Sequence, residues 1–316
     1  MEKQDGVSNK PALAALVVIP DTYATVSRTM GCLKMQSEAA QIEVIFVVPS
    51  LEQVGIAESG LSCFHSWQVV EMGEITSKAA AYLAGIRKAH AEIVALTEDH
   101  SFPDEHWAEL FIVAHRGPWA AVGPSMRSAN PDNLISWTDY YQAYGEWSRP
   151  TSTGEVRHLP GHNSSYKREI LLSLGEQLDK LMPCESILHR QLQSQGHQLL
   201  LEAATCTSHT NFTAWSVLMP VKFNSGRLFA ATWIQTLSRR LRLLFIAGLP
   251  LLPLVRLRGI LKNVCKKAPF RLLLQLIPVL SIVVIVEGAG YLVGILAGAG
   301  NSLTELEKYE YHRDQY

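Results

Sequence analysis

Short apolar runs punctuate the first two thirds of the chain. Residues 13–19 form one, stopped by Pro20, and residues 42–48 form a second, stopped by Pro49. Ile93, Val94, Ala95 and Leu96 make a third, with weaker runs at 67–71 and 120–124 and a late one at 198–201. Near-continuous apolar runs of this length fit strands covered on both faces. Between them the spacing becomes helical: Val26, Met30 and Leu33 within 26–36, an Ala-rich stretch without proline over 77–90, and 107–115. This alternation predicts an α/β fold with a mainly parallel central sheet and helices on its faces. Segment 133–147 carries Trp137, Tyr140, Tyr141, Tyr144 and Trp147. Packing against the sheet, as a helix or hairpin, accounts for these aromatics more simply than stacking on a sugar does.

From residue 226 onward the pattern changes. Residues 228–244 read as a basic amphipathic helix, with Leu228, Trp233, Leu237, Leu241 and Leu244 on its apolar side. Residues 246–255 are apolar but short and broken by Pro250 and Pro253, which suits an interfacial or re-entrant piece. Residues 272–299 are long enough to span a bilayer, with Glu287 near the middle. A lone charge there costs about 2.5–3.5 kcal/mol, so Glu287 must pair, snorkel or face protein. A true span and an interfacial hairpin bent at Pro278 and Gly288 both fit. The expected organisation is a polar leader at 1–12, an α/β domain at 13–225, membrane-associated helices at 226–300 and a polar tail at 301–316.

Charge sharpens this division. The formal net charge is −1. Residues 1–202 nevertheless hold 15 Lys+Arg against 24 Asp+Glu, whereas 203–286 hold no acidic residue and eleven basic ones. An acidic body on a basic, apolar tail suits an anionic membrane surface. Nucleic acid is not expected as a partner, because the bases alternate with Leu, Ile, Pro and Phe. Lys266, Lys267 and Arg271 place the start of the 272–299 segment in the cytoplasm by the positive-inside bias. Cys32, Cys63, Cys184, Cys206 and Cys265 show neither close pairing nor zinc-site spacing, as in a reducing compartment. The polar N-terminus has no signal-peptide core. The expected location is the inner or plasma membrane, with the α/β domain cytoplasmic.

The 93–96 run leads straight into Glu98, Asp99 and His100. Open α/β sheets bind ligands beyond the carboxyl ends of their strands. Two carboxylates and an imidazole there offer ligands to Mg²⁺ or Mn²⁺. A polar loop with a capping side chain is the plainer alternative. Residues 159–168 form a turn opening onto a helix, and Glu185 heads the segment 186–194.

Taken in order, residues 13–212 resemble the family 2 glycosyltransferases of GT-A fold. Val17-Val18-Ile19-Pro20 looks like that family's first strand and nucleotide loop, and 42–50 like its second strand. Residues 80–86 stand where the family often has Ala-Arg-Asn-x-Gly. Glu98-Asp99-His100 ends the strand that carries the Asp-x-Asp metal motif. Pro160-Gly161-His162-Asn163 resembles the acceptor-side Gly-Gly-Asn segment. The chain departs from the family at Val48-Pro49, where an Asp commonly recognises the base, and at Tyr82-Leu83, which replaces Arg-Asn. Asp21 or the backbone would then take over base recognition.

The resemblance implies an inverting transfer from a nucleotide-sugar donor, helped by Mn²⁺ or Mg²⁺. It assigns donor contacts to Pro20, Asp21, Tyr23, Val48, Glu98 and Asp99, and acceptor contacts to Gly161, His162 and Asn163. Metal ligation falls to Asp99, His100 and His209. Glu185 becomes the general base, because inversion needs one carboxylate facing the anomeric carbon opposite the leaving group. The family often has an acidic pair there, and Cys184 stands in the other place. Plainer roles exist for some of these: a first-turn Glu favoured by the helix dipole, an N-cap at Asn163, a surface His209. The basic tail suggests a lipid or lipid-linked saccharide acceptor. The competing reading is a decayed GT-A-like module that binds a nucleotide sugar or a partner at the membrane. A nucleotidyltransferase is disfavoured, because the first strand lacks a Gly-rich basic loop.

Overall fold

The computed structural model describes residues 10–56 and 60–311; residues 1–9 of the leader and 312–316 of the tail lie outside that range. Nine strands form a single mixed sheet. They are β1 (Leu13–Val18), β2 (Ile42–Val48), β3 (Ser66–Glu71), β4 (Ile93–Thr97), β5 (Ser101–Pro103), β6 (Trp119–Ser128), β7 (Gly154–Val156), β8 (Ser165–Lys167) and β9 (Gln198–His209). The order is β3-β2-β1-β4-β8-β6-β9-β5, with β7 also on β9. β1 to β4 run parallel to one another. β8 is antiparallel to β4 and β6, while β9 runs parallel to β6.

Both faces of the sheet are covered. Ala14, Leu16 and Val18 point to the face holding Tyr82, Ile86 and Tyr166, while Leu13, Ala15 and Val17 point to the face holding Val26, Met30, Trp107 and Phe111. This period of two on a doubly buried strand is why β1 reads as an unbroken apolar run. The helix Lys78–Lys88 is capped by Ser77, whose side chain accepts from Ala80 N. Gly85 brings that helix against the sheet: a Cβ there would meet Leu16 Cδ2 at 3.2 Å and Val47 Cγ2 at 3.3 Å.

The six expected strands form, and three more appear. β5, β7 and β8 are three residues each, too short to show a period, and two of them fall where turns were expected. The aromatic segment is the helix Leu134–Tyr144, with Asn133 as its N-cap.

The C-terminal region differs from expectation in its breaks. One helix, Trp215–Thr236, runs straight through position 226, and the chain breaks at Leu237 and Ser238 instead. Arg239–Gly248 follows, then a 3₁₀ turn at Leu249–Leu251 and the helix Leu252–Val264. Pro250 and Pro253 sit at the first positions of these two pieces, where a missing N–H costs nothing, so they start helix rather than interrupt it. Phe270–Ala297 is one continuous helix through Pro278 and Gly288, not a hairpin. By length and composition, Arg239–Val264 and Phe270–Ala297 could each cross a membrane.

Both lie against the α/β domain. Leu276, Leu280 and Val284, four apart on one stripe, pack with Ile260 and Val264 onto Met126, Tyr140 and Tyr141. Glu287 meets Arg256 Nη2 at 2.8 Å and accepts from Gln142 Nε2 at 3.2 Å, so its charge is paired and faces protein. Lys267 Nζ donates to the carbonyls of Gly145 (2.9 Å), Glu146 (3.2 Å) and Ser148 (2.6 Å), capping the aromatic helix. Lys222 pairs with Asp139 at 2.6 Å. The opposite stripes, including Leu241, Leu244, Leu254, Ile282, Ile285 and Leu296, are exposed. The tail, expected to be a featureless polar stretch, forms the helix Ser302–Tyr311.

Candidate active site

The carboxyl ends of β1, β2 and β4 and the last residue of β9 converge on one edge of the sheet. Glu98 follows β4 and is 4% exposed. Asn163 Nδ2 (2.9 Å) and Ser101 Oγ (3.1 Å) donate to its Oε2, and Lys78 Nζ lies 3.3 Å from its Oε1. Burial alone would raise the Glu98 pKa. Lys78, His100, His162 and His209 outweigh that and hold it well below the carboxylate range. Thr29 Oγ1 pins the loop, lying 3.0–3.1 Å from the carbonyls of Glu98, Asp99 and Ser101.

Two imidazoles face Glu98. His100 Nε2 lies 3.6 Å from Glu98 Oε1, and His209 Nε2 lies 3.6 Å from Oε2. Their rings meet edge-on at 4.8 Å. Each ring is oriented from behind: Asp99 Oδ1 takes His100 Nδ1 at 2.6 Å, and Asn211 Oδ1 takes His209 Nδ1 at 3.1 Å. Both partners are oxygens that accept, so Nδ1 carries a proton, and in the neutral ring Nε2 is the atom that can ligate. His100 Nε2 is buried and has no hydrogen-bond partner. One carboxylate and two imidazole lone pairs thus converge, with ligand atoms within 4.8 Å of one another. This donor set suits Mn²⁺, or another first-row ion, better than Mg²⁺. The structure brings together two of the three expected ligands. Glu98 takes the carboxylate place, while Asp99 orients His100. The turn after β4 decides this: the Glu98 carboxylate turns in toward Lys78, Ser101 and Asn163, while that of Asp99 lies against His100 Nδ1.

Gly161, His162 and Asn163 form a 3₁₀ turn against the head of the helix Glu185–Ser194. A Cβ on Gly161 would meet Glu185 Cδ at 2.7 Å, so only glycine lets the carboxylate in. His162 Nδ1 is 2.6 Å from Glu185 Oε1. Burial would lower the pKa of His162, but the Glu185 charge prevails and raises it. Burial would raise that of Glu185, but His162 prevails and lowers it. Asn163 serves Glu98 and so belongs to the cation-donor side of the site. Lys78, Glu98, His162, Glu185 and His209 line one cavity of about 260 Å³.

Pro20 and Asp21 line a second cavity of about 480 Å³ with Pro49, Ser50, Gly73 and Glu74. Tyr23 does not reach it: its ring packs edge-on against Phe46 at 6.3 Å. The side chain of Val48 is fully buried in the core, which leaves only its backbone for a ligand. A third cavity, of about 610 Å³, lies between the domain and the C-terminal helices, lined by Trp147, His158, Ser186, Arg190, Phe229 and Arg256 among others. Ser225 lines both this cavity and the one holding Glu185.

Sequence reasoning missed Lys78 and Tyr144. Lys78 opens its helix, a place where lysine is usually solvated, yet it shares a face with Tyr82 four residues on, whose Oη donates to Thr97 O at 2.7 Å. That shared face was the available signal. Tyr144, from the aromatic helix, sets its ring 4.6 Å from that of His209. Only the tertiary fold makes this contact.

No known protein-family profile matches the sequence, and no curated protein sequence matches it either. Solved structures do match. The mannosyltransferase PcManGT from Pyrobaculum calidifontis, in complex with GDP-Man and Mn²⁺, is 13% identical, covers 90% of this chain and 87% of its own, and superposes with a TM-score of 0.53. TarS 1-349 from S. aureus, in complex with UDP, is 14% identical, with 96% and 92% covered and a TM-score of 0.49. The mixed, mostly parallel sheet is that of the GT-A fold, as the sequence led one to expect.

Proposed function

We propose that the chain is an inverting glycosyltransferase that moves a sugar from a nucleoside-diphosphate donor to an acceptor held at a membrane surface. One observation carries this reading: Glu98 and the Nε2 atoms of His100 and His209 converge beside the Glu185–His162 pair on a GT-A framework. A divalent ion, Mn²⁺ before Mg²⁺, would be held by Glu98, His100 and His209 and would neutralise charge on the departing diphosphate. The cavity lined by Pro20, Asp21, Pro49 and Ser50 suits the nucleoside. Lys78 adds positive charge next to the donor set. Glu185 takes the proton from the acceptor hydroxyl, and His162 holds its carboxylate in place beside Gly161.

The acceptor side follows from the third cavity. It opens between the domain and the C-terminal helices and shares Ser225 with the Glu185 cavity, so an acceptor anchored in lipid could present its hydroxyl there. Because Phe270–Ala297 packs on the domain over several turns, the helices are read as lying in the interface plane, with their exposed leucines and isoleucines in lipid. Arg239, Arg240, Arg242 and Arg258 are exposed beside them and suit anionic headgroups on the cytoplasmic face.

The test is thermal denaturation of the full chain with UDP, GDP and dTDP and their sugars, with and without Mn²⁺. The expected result is stabilisation by one nucleotide that requires Mn²⁺. Glu185→Gln should retain that shift and lose turnover by about 10²–10⁴-fold. Absence of a shift with every nucleotide would leave a non-catalytic module as the better account.

A further inference from the structure

The helix Ser302–Tyr311 lies across the carboxyl edge of the sheet. Gly298 and Gly300, at φ of 73° and 54°, turn the chain back from Phe270–Ala297 into it. Arg227 grips this turn, its Nε donating to Gly298 O at 2.9 Å. Glu307, Glu310 and Tyr311 stand at i, i+3 and i+4, hence on one helical face. Each meets a different part of the edge.

Glu307 Oε1 accepts from the backbone N of Lys78 at 2.8 Å, at the start of the helix Lys78–Lys88. That helix start carries partial positive charge, which attracts anions. Glu310 Oε2 lies 3.6 Å from His100 Nε2 and 3.8 Å from Lys78 Nζ, in front of the cation-donor set. Tyr311 is 7% exposed and forms a wall of the cavity lined by Pro20, Asp21, Pro49 and Ser50. Leu303 and Leu306 cover the cavity of Glu185. Two anionic groups and one flat ring therefore occupy, in order, a helix start, a cation site and the cavity beyond the carboxyl ends of β1, β2 and β3. A nucleoside diphosphate carries the same groups.

We infer that Ser302–Tyr311 is an intramolecular stand-in for the donor, so that the nucleotide binds only when this segment leaves. The inference rests on the donor reading above. The two glycines before the segment give the chain a place to turn without moving Phe270–Ala297.

Isothermal titration of the full-length protein with UDP and with GDP, in Mn²⁺, tests it. Glu307→Ala/Glu310→Ala removes both anions, and Tyr311→Ala removes the ring alone. Each variant should bind the nucleotide at least tenfold more tightly than the unaltered chain, because the competent state no longer has to be opened. Amide exchange over 302–311 in the unaltered chain should accelerate when nucleotide is added. Equal or weaker binding by both variants, or slower exchange over 302–311 with nucleotide, would overturn the inference and make the segment a cover or a resident ligand. Nucleotide binding without any difference between the chains sinks this inference alone. No binding to any of them sinks the donor reading too.

Discussion

Glu98 is buried and takes contacts from Lys78, Ser101, Asn163 and two histidines. Removing the carboxylate outright would leave Lys78 buried and poorly compensated, a loss of about 3–5 kcal/mol. Glu98→Gln keeps the shape and removes the charge. It should abolish stabilisation by Mn²⁺ while the chain still folds, which calorimetric melts with and without the ion will show. Asp99→Asn acts one step back, on the tautomer of His100, and should weaken Mn²⁺ binding by about 10–100-fold. If Asp99→Asn instead abolished binding and Glu98→Gln left it intact, the ligand assignment would be reversed. The Glu185–His162 pair has its own signature. The pKa of His162 is raised from 6.5, so the stability it contributes is complete below about pH 6.5 and is lost as pH rises through the folded value. Glu185 is lowered from 4.5, so its contribution is present above about pH 4.5 and is lost as pH falls through the folded value. The pair is therefore most stabilising between these limits. His162→Gln should flatten the alkaline fall in urea midpoints; an unchanged fall would exclude His162 as its source. The triplet Glu98-Asp99-His100 was legible in the sequence as candidate metal chemistry, and the resemblance pointed to His209 as a candidate ligand. Which carboxylate faces inward was not, because the turn at 98–100 and the distant partners Lys78 and Asn163 decide that.

At the scale of elements, the tightest joint is the crossing of Trp215–Thr236 with Phe270–Ala297. A Cβ on Gly290 would fall 2.1 Å from Phe223 O, and one on Gly294 would fall 2.3 Å from Arg227 O. Backbone cannot retreat as a side-chain tip can, so Gly290→Ala should destabilise by about 1–3 kcal/mol. Gly259 lies within a helix with nothing within 4 Å of its would-be Cβ. Gly259→Ala should therefore stabilise by about 0.5–1 kcal/mol. Chemical denaturation of the two variants in the same detergent checks both signs. The strands of this fold were legible because burial on both faces writes them as unbroken apolar runs. The C-terminal helices were legible too, but their breaks were not, since proline reads as a breaker until one sees that Pro250 and Pro253 begin helical pieces. The short β5, β7 and β8 depend on β9, β4 and β6 for their pairing, and nothing local announces them.

For the molecule as a whole, attachment to lipid would come from apolar stripes with arginines at their margin. Salt screens the arginines but not the stripes. Washing membranes in high salt should leave the protein bound, and detergent should release it. Release by salt alone would show that the exposed leucines and isoleucines are not inserted. The acidic body and basic tail were legible from charge alone. The packing of that tail onto the body was not: Ile260, Val264 and Leu276 lie more than a hundred residues from Tyr140 and Tyr141 in the sequence, and so does Gln142 from Glu287.

That packing bears on how the protein can be cut. A fragment ending near residue 225 looks natural from composition, but Met126, Tyr140 and Tyr141 would lose Ile260, Val264, Leu276, Leu280 and Val284 as cover. The turn after the aromatic helix would lose the Lys267 ammonium that satisfies the carbonyls of Gly145, Glu146 and Ser148. The aromatic helix also supplies Tyr144 to the ring of His209, so damage there reaches the cation-donor set. The α/β domain and the C-terminal helices therefore share one packed seam, and neither can be traded for another without redesigning it.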